Sequence, residues 1–154
     1  MKYLLTCLVM LTALLSTGVM SDENTPDVEI TSAWARPTAN TRTPGGVFLT
    51  LTNHGRDAVT LTGVKSDIAR MAHLHHTGNK GGMMTMDMVD TLVIEAGKSV
   101  KFAPGGHHIM LMGLSEKLTK GAAFSLTLTF EETADLTVSV EVTGMMGPSA
   151  KDVP

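Results

Sequence analysis

The chain has 154 residues, 43% hydrophobic and 18% charged, which is enough for one ordinary core and too little for two domains. Its formal net charge is −3 and it contains no run of five or more basic residues, which argues against nucleic acid or an anionic membrane surface as a partner. Aromatics make up 4%, with Trp34 the single tryptophan, so aliphatic side chains and methionine must fill most of the interior.

Residues 1–21 stand apart. Lys2 gives a minimal positive start, Leu4 to Leu15 is almost continuously apolar, and Ser16, Thr17 and Gly18 follow, the pattern of a secretory signal peptide cut near residues 18–21. The apolar run is shorter than the roughly 20 residues that span a bilayer, so cleavage is expected and stable membrane insertion is not. Cys7 lies inside the run with almost no hydrophobic segment before it, whereas a lipoprotein cysteine ends such a run. It is also the single cysteine, so removal of the leader leaves a domain without a thiol or a disulfide. Lys2 leaves with it, and 11 Lys+Arg against 15 Asp+Glu give the exported chain a formal charge of −4.

A polar segment at 22–27 is expected to be a flexible start. From Val28 onward come short runs rich in β-branched residues: VEITSAWA, GVFLTLTN, AVTLTGVKS, VKFAPGG, HHIMLMGL, AAFSLTLTF and DLTVSVEVT, each bounded by glycine, proline, asparagine or aspartate. No amphipathic helix stands out. This pattern predicts one all-β domain over 28–143, built as a two-sheet antiparallel sandwich or a small Greek-key barrel, with Phe124 to Phe130 and Leu136 to Val142 forming a closing hairpin. Residues 144–154 are expected to be a short flexible tail.

Between Met71 and Met112 lie five of the six histidines and seven methionines, with no cysteine. Strand alternation puts His108, Met110 and Met112 on one face and His107, Ile109 and Leu111 on the other. It groups Met71, His73 and His75 against Ala72, Leu74 and His76, and it groups Met84, Met86 and Met88. A thioether binds Cu(I) well and Zn(II), Mg(II) or Ca(II) poorly, while imidazole serves copper, zinc and nickel alike. Histidine plus methionine without thiolate or carboxylate therefore points to Cu(I). Any one of these residues has an ordinary explanation: methionine fills irregular cores, and a strand histidine such as His54 is usually solvated or hydrogen-bonded. By that reasoning Met71, Met88, Met112, His76 and His107 are read as packing or surface residues.

The spacing from His75 to Met86, His108 and Met110 fits H-x10-M-x21-H-x-M, the signature of the periplasmic copper chaperones of the PCu(A)C type. WARPT, GGVFLTLTNHG, PGGHHIMLMGL and SLTLTFE resemble that family as well, so the similarity runs from about Val28 to Val142. The resemblance implies a cupredoxin-like β-barrel in the bacterial periplasm that binds one Cu(I) through His75, Met86, His108 and Met110. It also implies delivery towards the binuclear copper centre of cytochrome c oxidase, alongside a Sco-type thiol protein. The chain departs from the family where an acidic residue is common and His73 and His76 stand instead. His73 and Met84 are accessory metal candidates, and extra histidines offer nitrogen donors to Cu(II).

Without a thiolate the exported chain makes neither a blue-copper site nor a thiol–disulfide enzyme. A zinc enzyme built on His73, His75 and His108 is the competing catalytic reading, but it leaves Met86 and Met110 unused and has no evident carboxylate base close to the cluster, Asp87 and Asp90 being the nearest and Asp87 facing away from Met86. A non-enzymatic, monomeric carrier is expected. A copper buffer or scavenger differs from it only in where the copper goes, and a plain structural sandwich would bind no metal.

Overall fold

A computed structural model describes residues 27–131 and 133–148, and the expected leader, flexible start and last tail residues lie outside them. The described residues contain ten strands and no helix. They are β1 (Val28–Ala35), β2 (Gly45–Asn53), β3 (Val59–Ser66), β4 (Ala69–Lys80), β5 (Met83–Val89), β6 (Leu92–Ile94), β7 (Ser99–Lys101), β8 (His107–Leu114), β9 (Ala123–Phe130) and β10 (Leu136–Val142). They hydrogen-bond in the order β5-β4-β8-β2-β1-β10-β9-β3-β6, with β7 added beside β2.

Period-two alternation sends one face of nearly every strand inward. Val47, Leu49 and Leu51 of β2, Leu74 of β4, Ile109 and Leu111 of β8, Leu61 of β3, Leu126 and Leu128 of β9 and Val140 of β10 form one continuous core. Burying side chains of this size contributes about 1.5–3 kcal/mol each before entropy is counted, so the aliphatic face of each strand fixes its register. The expected β9–β10 hairpin is present, with Leu136 opposite Leu128 and Val140 opposite Phe124.

The pairing is not antiparallel throughout. β1 and β10 run parallel over Trp34–Glu141 and Ala35–Val142 and join the two halves of the sheet. β1 is also irregular between Thr31 and Trp34, where Ser32 has φ 55°, the one positive value at a non-glycine residue among the described residues. The bulge turns the second half of β1, and with it Trp34, into a new register on β2. β6 is a further departure from the expected set, since its three residues are too few to display alternation. At the other end, Gly144 bridges Gly147, and a Cβ on Gly147 would lie 3.0 Å from Cζ2 of Trp34, so the segment after β10 packs on the indole.

One buried polar residue holds the end of β2. The Asn53 side chain is fully buried and donates through Nδ2 to the carbonyls of Asp57 (2.8 Å) and Ile94 (3.0 Å), while its Oδ1 accepts from the Gly55 amide (2.9 Å). Removing it takes away three hydrogen bonds at a fully buried position. Asn53→Ala should therefore lower the unfolding free energy by about 2–3 kcal/mol, measured as a lower denaturant midpoint at unchanged slope. A loss within a few tenths would mean that water substitutes for the amide.

Candidate metal centre

The site is built on the edge of the sheet, where β5, β4 and β8 lie side by side. β4 and β5 are joined by Gly81 and Gly82, both with positive φ (62° and 86°), the two-residue turn that matches strand twist and that glycine adopts without steric cost. Asn79 Oδ1 accepts from the Gly82 amide at 2.8 Å and ties the turn back to β4. This turn sets the pairing: Leu74 with Val89, His75 with Met88, His76 with Asp87, Thr77 with Met86 and Asn79 with Met84. On the other side of β4, His75 pairs with His108, His73 with Met110, Met71 with Met112 and His76 with His107.

Directly opposed residues share a face, so the outward side of these strands carries His75, His108, Met110, His73, Met86, Met88 and Met84 together. His75 and His108 are the centre. Their rings are stacked, with centroids 5.8 Å apart and planes at 27°. His108 is 8% exposed, and its Nδ1 donates to the carbonyl of Gly106 at 3.1 Å, because a carbonyl can only accept. The second nitrogen, Nε2, is left with a lone pair, the arrangement in which a histidine ligand is oriented through its other nitrogen. Both ring nitrogens of His75 are buried and have no hydrogen-bond partner in the protein. Buried polar atoms without a protein partner are rare and call for an explanation, which a bound ion would supply.

Burial first, then the nearby His108 and His73, hold the His75 pKa below its ordinary 6.5. The ring is therefore neutral, with a lone pair available, at neutral pH.

The sulfurs surround this pair. Met110 and Met86 are each one strand away from His75 and diagonally displaced, in opposite directions along β4. Met88, which the sequence pattern assigned to packing, is the thioether in direct register with His75 and is 59% exposed. Met84 lies further towards the turn, opposite Asn79. His73 stands in the row of Met110, one row away from His75–His108, and no three His, Cys, Asp or Glu side chains among the described residues are placed to hold a metal ion together. A His73–His75–His108 triad is thus not assembled. The available donor set is two imidazoles and several thioethers.

Two neighbours were not legible from the sequence. His108 and Met110 open onto a groove of about 260 Å³ that they share with Arg36, Phe48 and Met145. Phe48 packs against Trp34 with ring centroids 4.5 Å apart and planes tilted by 34°, and the Arg36 guanidinium lies 5.2 Å over the Phe48 ring with Nε buried and unpartnered. An aromatic floor and a fixed cation therefore flank the donors.

The pKa of His107, too, is held low by burial first and then by His76 and His108. Both rings bind fewer protons in the folded than in the unfolded chain. Their contribution to stability is complete above the unfolded value near 6.5 and is lost as pH falls towards the folded values. The metal-free protein should lose unfolding free energy on acidification below about pH 6.5, and His75→Gln should flatten that slope. Denaturant melts between pH 7.5 and 5 measure this, and an unchanged slope in the variant would count against a buried neutral His75.

Comparison with known proteins adds the following. A family model described as "Putative lipoprotein LpqE-like" matches residues 28–142. "Putative lipoprotein Lxx21020" of Leifsonia xyli subsp. xyli is 34% identical over 121 residues, covering 78% of this chain and 72% of that protein. Among solved structures, the copper-bound PCuAC domain from PmoF2 superposes with a TM-score of 0.65 at 24% identity, covering 77% of this chain and 93% of that one. The solution structure of CuI-DR1885 from Deinococcus radiodurans superposes at 0.60 with 28% identity and covers 85% of each chain. The shared architecture is the cupredoxin-like β fold.

Proposed function

The chain belongs to the LpqE-like family, which is related to the PCuAC domains, and from that membership we propose that it is a periplasmic metallochaperone that carries one Cu(I). Its ligands are His75, Met86, His108 and Met110, and it passes the copper to an acceptor protein. The observation that carries this reading is the His75–His108 pair, whose unpartnered nitrogens stand in register with, or one row from, the methionines of β5 and β8. Support for copper comes from the 28% identical Cu(I)-bound protein of Deinococcus radiodurans, and support for export comes from a relative described as a lipoprotein together with the leader-like residues 1–21.

The chemistry follows from softness and charge. Two imidazoles and two thioethers are neutral, so they match a polarizable monovalent ion and offer nothing to offset the second charge of a dication. Arg36, beside His108 and Met110, adds to that penalty. No proton needs to leave a thiol for copper to bind or depart. Three of the nearby methionines lie on β5, an edge strand, with Met86 54% and Met88 59% exposed. An incoming thiolate or thioether can replace them one at a time while the two histidines, anchored on β4 and β8, keep hold. Stepwise exchange of this kind suits transfer rather than storage, so we assign the protein to delivery. The acceptor would be the copper subunit of cytochrome c oxidase, a Sco-type thiol protein, or both in succession. No catalytic step is assigned to it. Met84 is the next sulfur along β5 and His73 the nearest spare nitrogen, both suited to an accessory role.

Anaerobic titration with Cu(I) against a competing chelator should give a single tight equivalent per chain and only weak Zn(II) binding. Zinc binding equal to or stronger than copper would overturn the proposal. Met86→Ala and Met110→Ala should each weaken Cu(I) by on the order of tenfold to a hundredfold with little change in thermal midpoint. Met88→Ala separates the register from the motif: a loss comparable to that of Met86→Ala would mean that the sulfur opposite His75 shares the copper. Loss of folded protein in any of the three would show a packing role instead.

A further inference from the structure

The same three strands carry a second constellation on their opposite face. His76 and His107 are directly paired across β4 and β8, with ring centroids 4.4 Å apart and planes at 48°. The strand alternation that turns His75 and His108 outward turns these two the other way, towards the side of Leu74 and Ile109. β4 extends past the core at this point. Leu74 is 3% exposed, whereas His76, two residues on, is open to solvent. On β5 the residue opposite His76 is Asp87, whose carboxylate has a single weak neighbour, Lys80 Nζ at 3.8 Å. Phe102 backs His107, with ring centroids 6.0 Å apart.

Two polar atoms here are buried and unsatisfied. They are Nδ1 of His107 and Oγ1 of Thr85, the latter on β5 opposite Gly78 and beside the His76 ring. Orphaned buried donors and acceptors in a cluster call for an explanation, because each carries a desolvation cost. A bound cation supplies one.

We propose that His76 and His107 form a second metal site, separate from the His75–His108 face, that takes a borderline divalent cation, with Asp87 on the neighbouring strand as its counter-charge. Imidazole and carboxylate without sulfur suit Cu(II), Ni(II) and Zn(II), and the Irving–Williams order makes Cu(II) the tightest of the series. The carboxylate supplies the negative charge that the ligand set His75, Met86, His108 and Met110 lacks. No three His, Cys, Asp or Glu side chains among the described residues are placed to hold an ion together, so the paired imidazoles are its direct protein ligands, water completes the coordination, and Asp87 balances charge from the neighbouring strand. The outcome is one chain with two sites back to back, sorted by strand parity into a soft one and a borderline one.

The test uses Ag(I), a redox-inert stand-in for Cu(I), to fill the sulfur-bearing face before Cu(II) is added. The protein preloaded with one equivalent of Ag(I) should bind a single further equivalent of Cu(II), with nitrogen hyperfine coupling in its electron paramagnetic resonance spectrum. His76→Ala, at an exposed position, should weaken Cu(II) by on the order of tenfold or more and leave Ag(I) stoichiometry unchanged. His107→Phe, which keeps a ring against Phe102, should do the same and guards against a folding artefact. Cu(II) affinity equal to wild type in both variants, or no stoichiometric Cu(II) on the silver-loaded protein, would overturn the proposal. Silver uptake is read separately and reports on the other face alone, so failure of either site is distinguishable from failure of the other.

Discussion

Everything at the metal centre depends on the register between β4 and its two neighbours. A side-chain period of two means that a slip by one residue would carry every donor on a strand to the opposite face. Two devices prevent that slip. The Gly81–Gly82 turn fixes β5 against β4, and the burial of Leu74 against Ile109, with Leu111 one step further along, fixes β8. The hydrophobic core thus specifies the site although it lies on the opposite face of these strands. Misplacing Leu74 would exchange the roles of His75 and His76.

The strand alternation, read from residue order alone, correctly separated His108 and Met110 from Ile109 and Leu111, and His75 from Leu74 and His76. Those assignments were legible because each strand mixes large aliphatic residues with donors, and burial chooses between them without ambiguity. What the sequence could not show was which residues stand opposite one another. Met88 looked like filler because its spacing matches no motif, yet the turn places it across from His75. The groove of Arg36, Phe48 and Met145 was equally hidden. It joins residues more than a hundred positions apart through the β1 bulge and the packing of Gly147 on Trp34. The parallel β1–β10 pair escaped for a related reason: parallel neighbours need not be close in the chain, so no turn residue announces them.

The polar residues divide by the same physics. Asn53 is buried and fully hydrogen-bonded, and its work is to close the end of β2. The half-buried His75 has both ring nitrogens shielded and unsatisfied, and His108 keeps one nitrogen in use and one free. A structural polar group and a binding one are therefore told apart by their hydrogen-bond balance more surely than by burial, since all three are withdrawn from solvent.

The placement of sulfur has a further consequence. Among the described residues no methionine is in the core, and those on β5 are among the most exposed apolar side chains. An oxidant that reaches the folded protein meets these thioethers first and converts them to sulfoxides, which are polar and no longer soft. The core, being aliphatic, would not register the damage. Such a chain would keep its shape, its strands and its two histidines while losing its preference for copper. The redox history of the molecule would be written in its cargo and not in its fold.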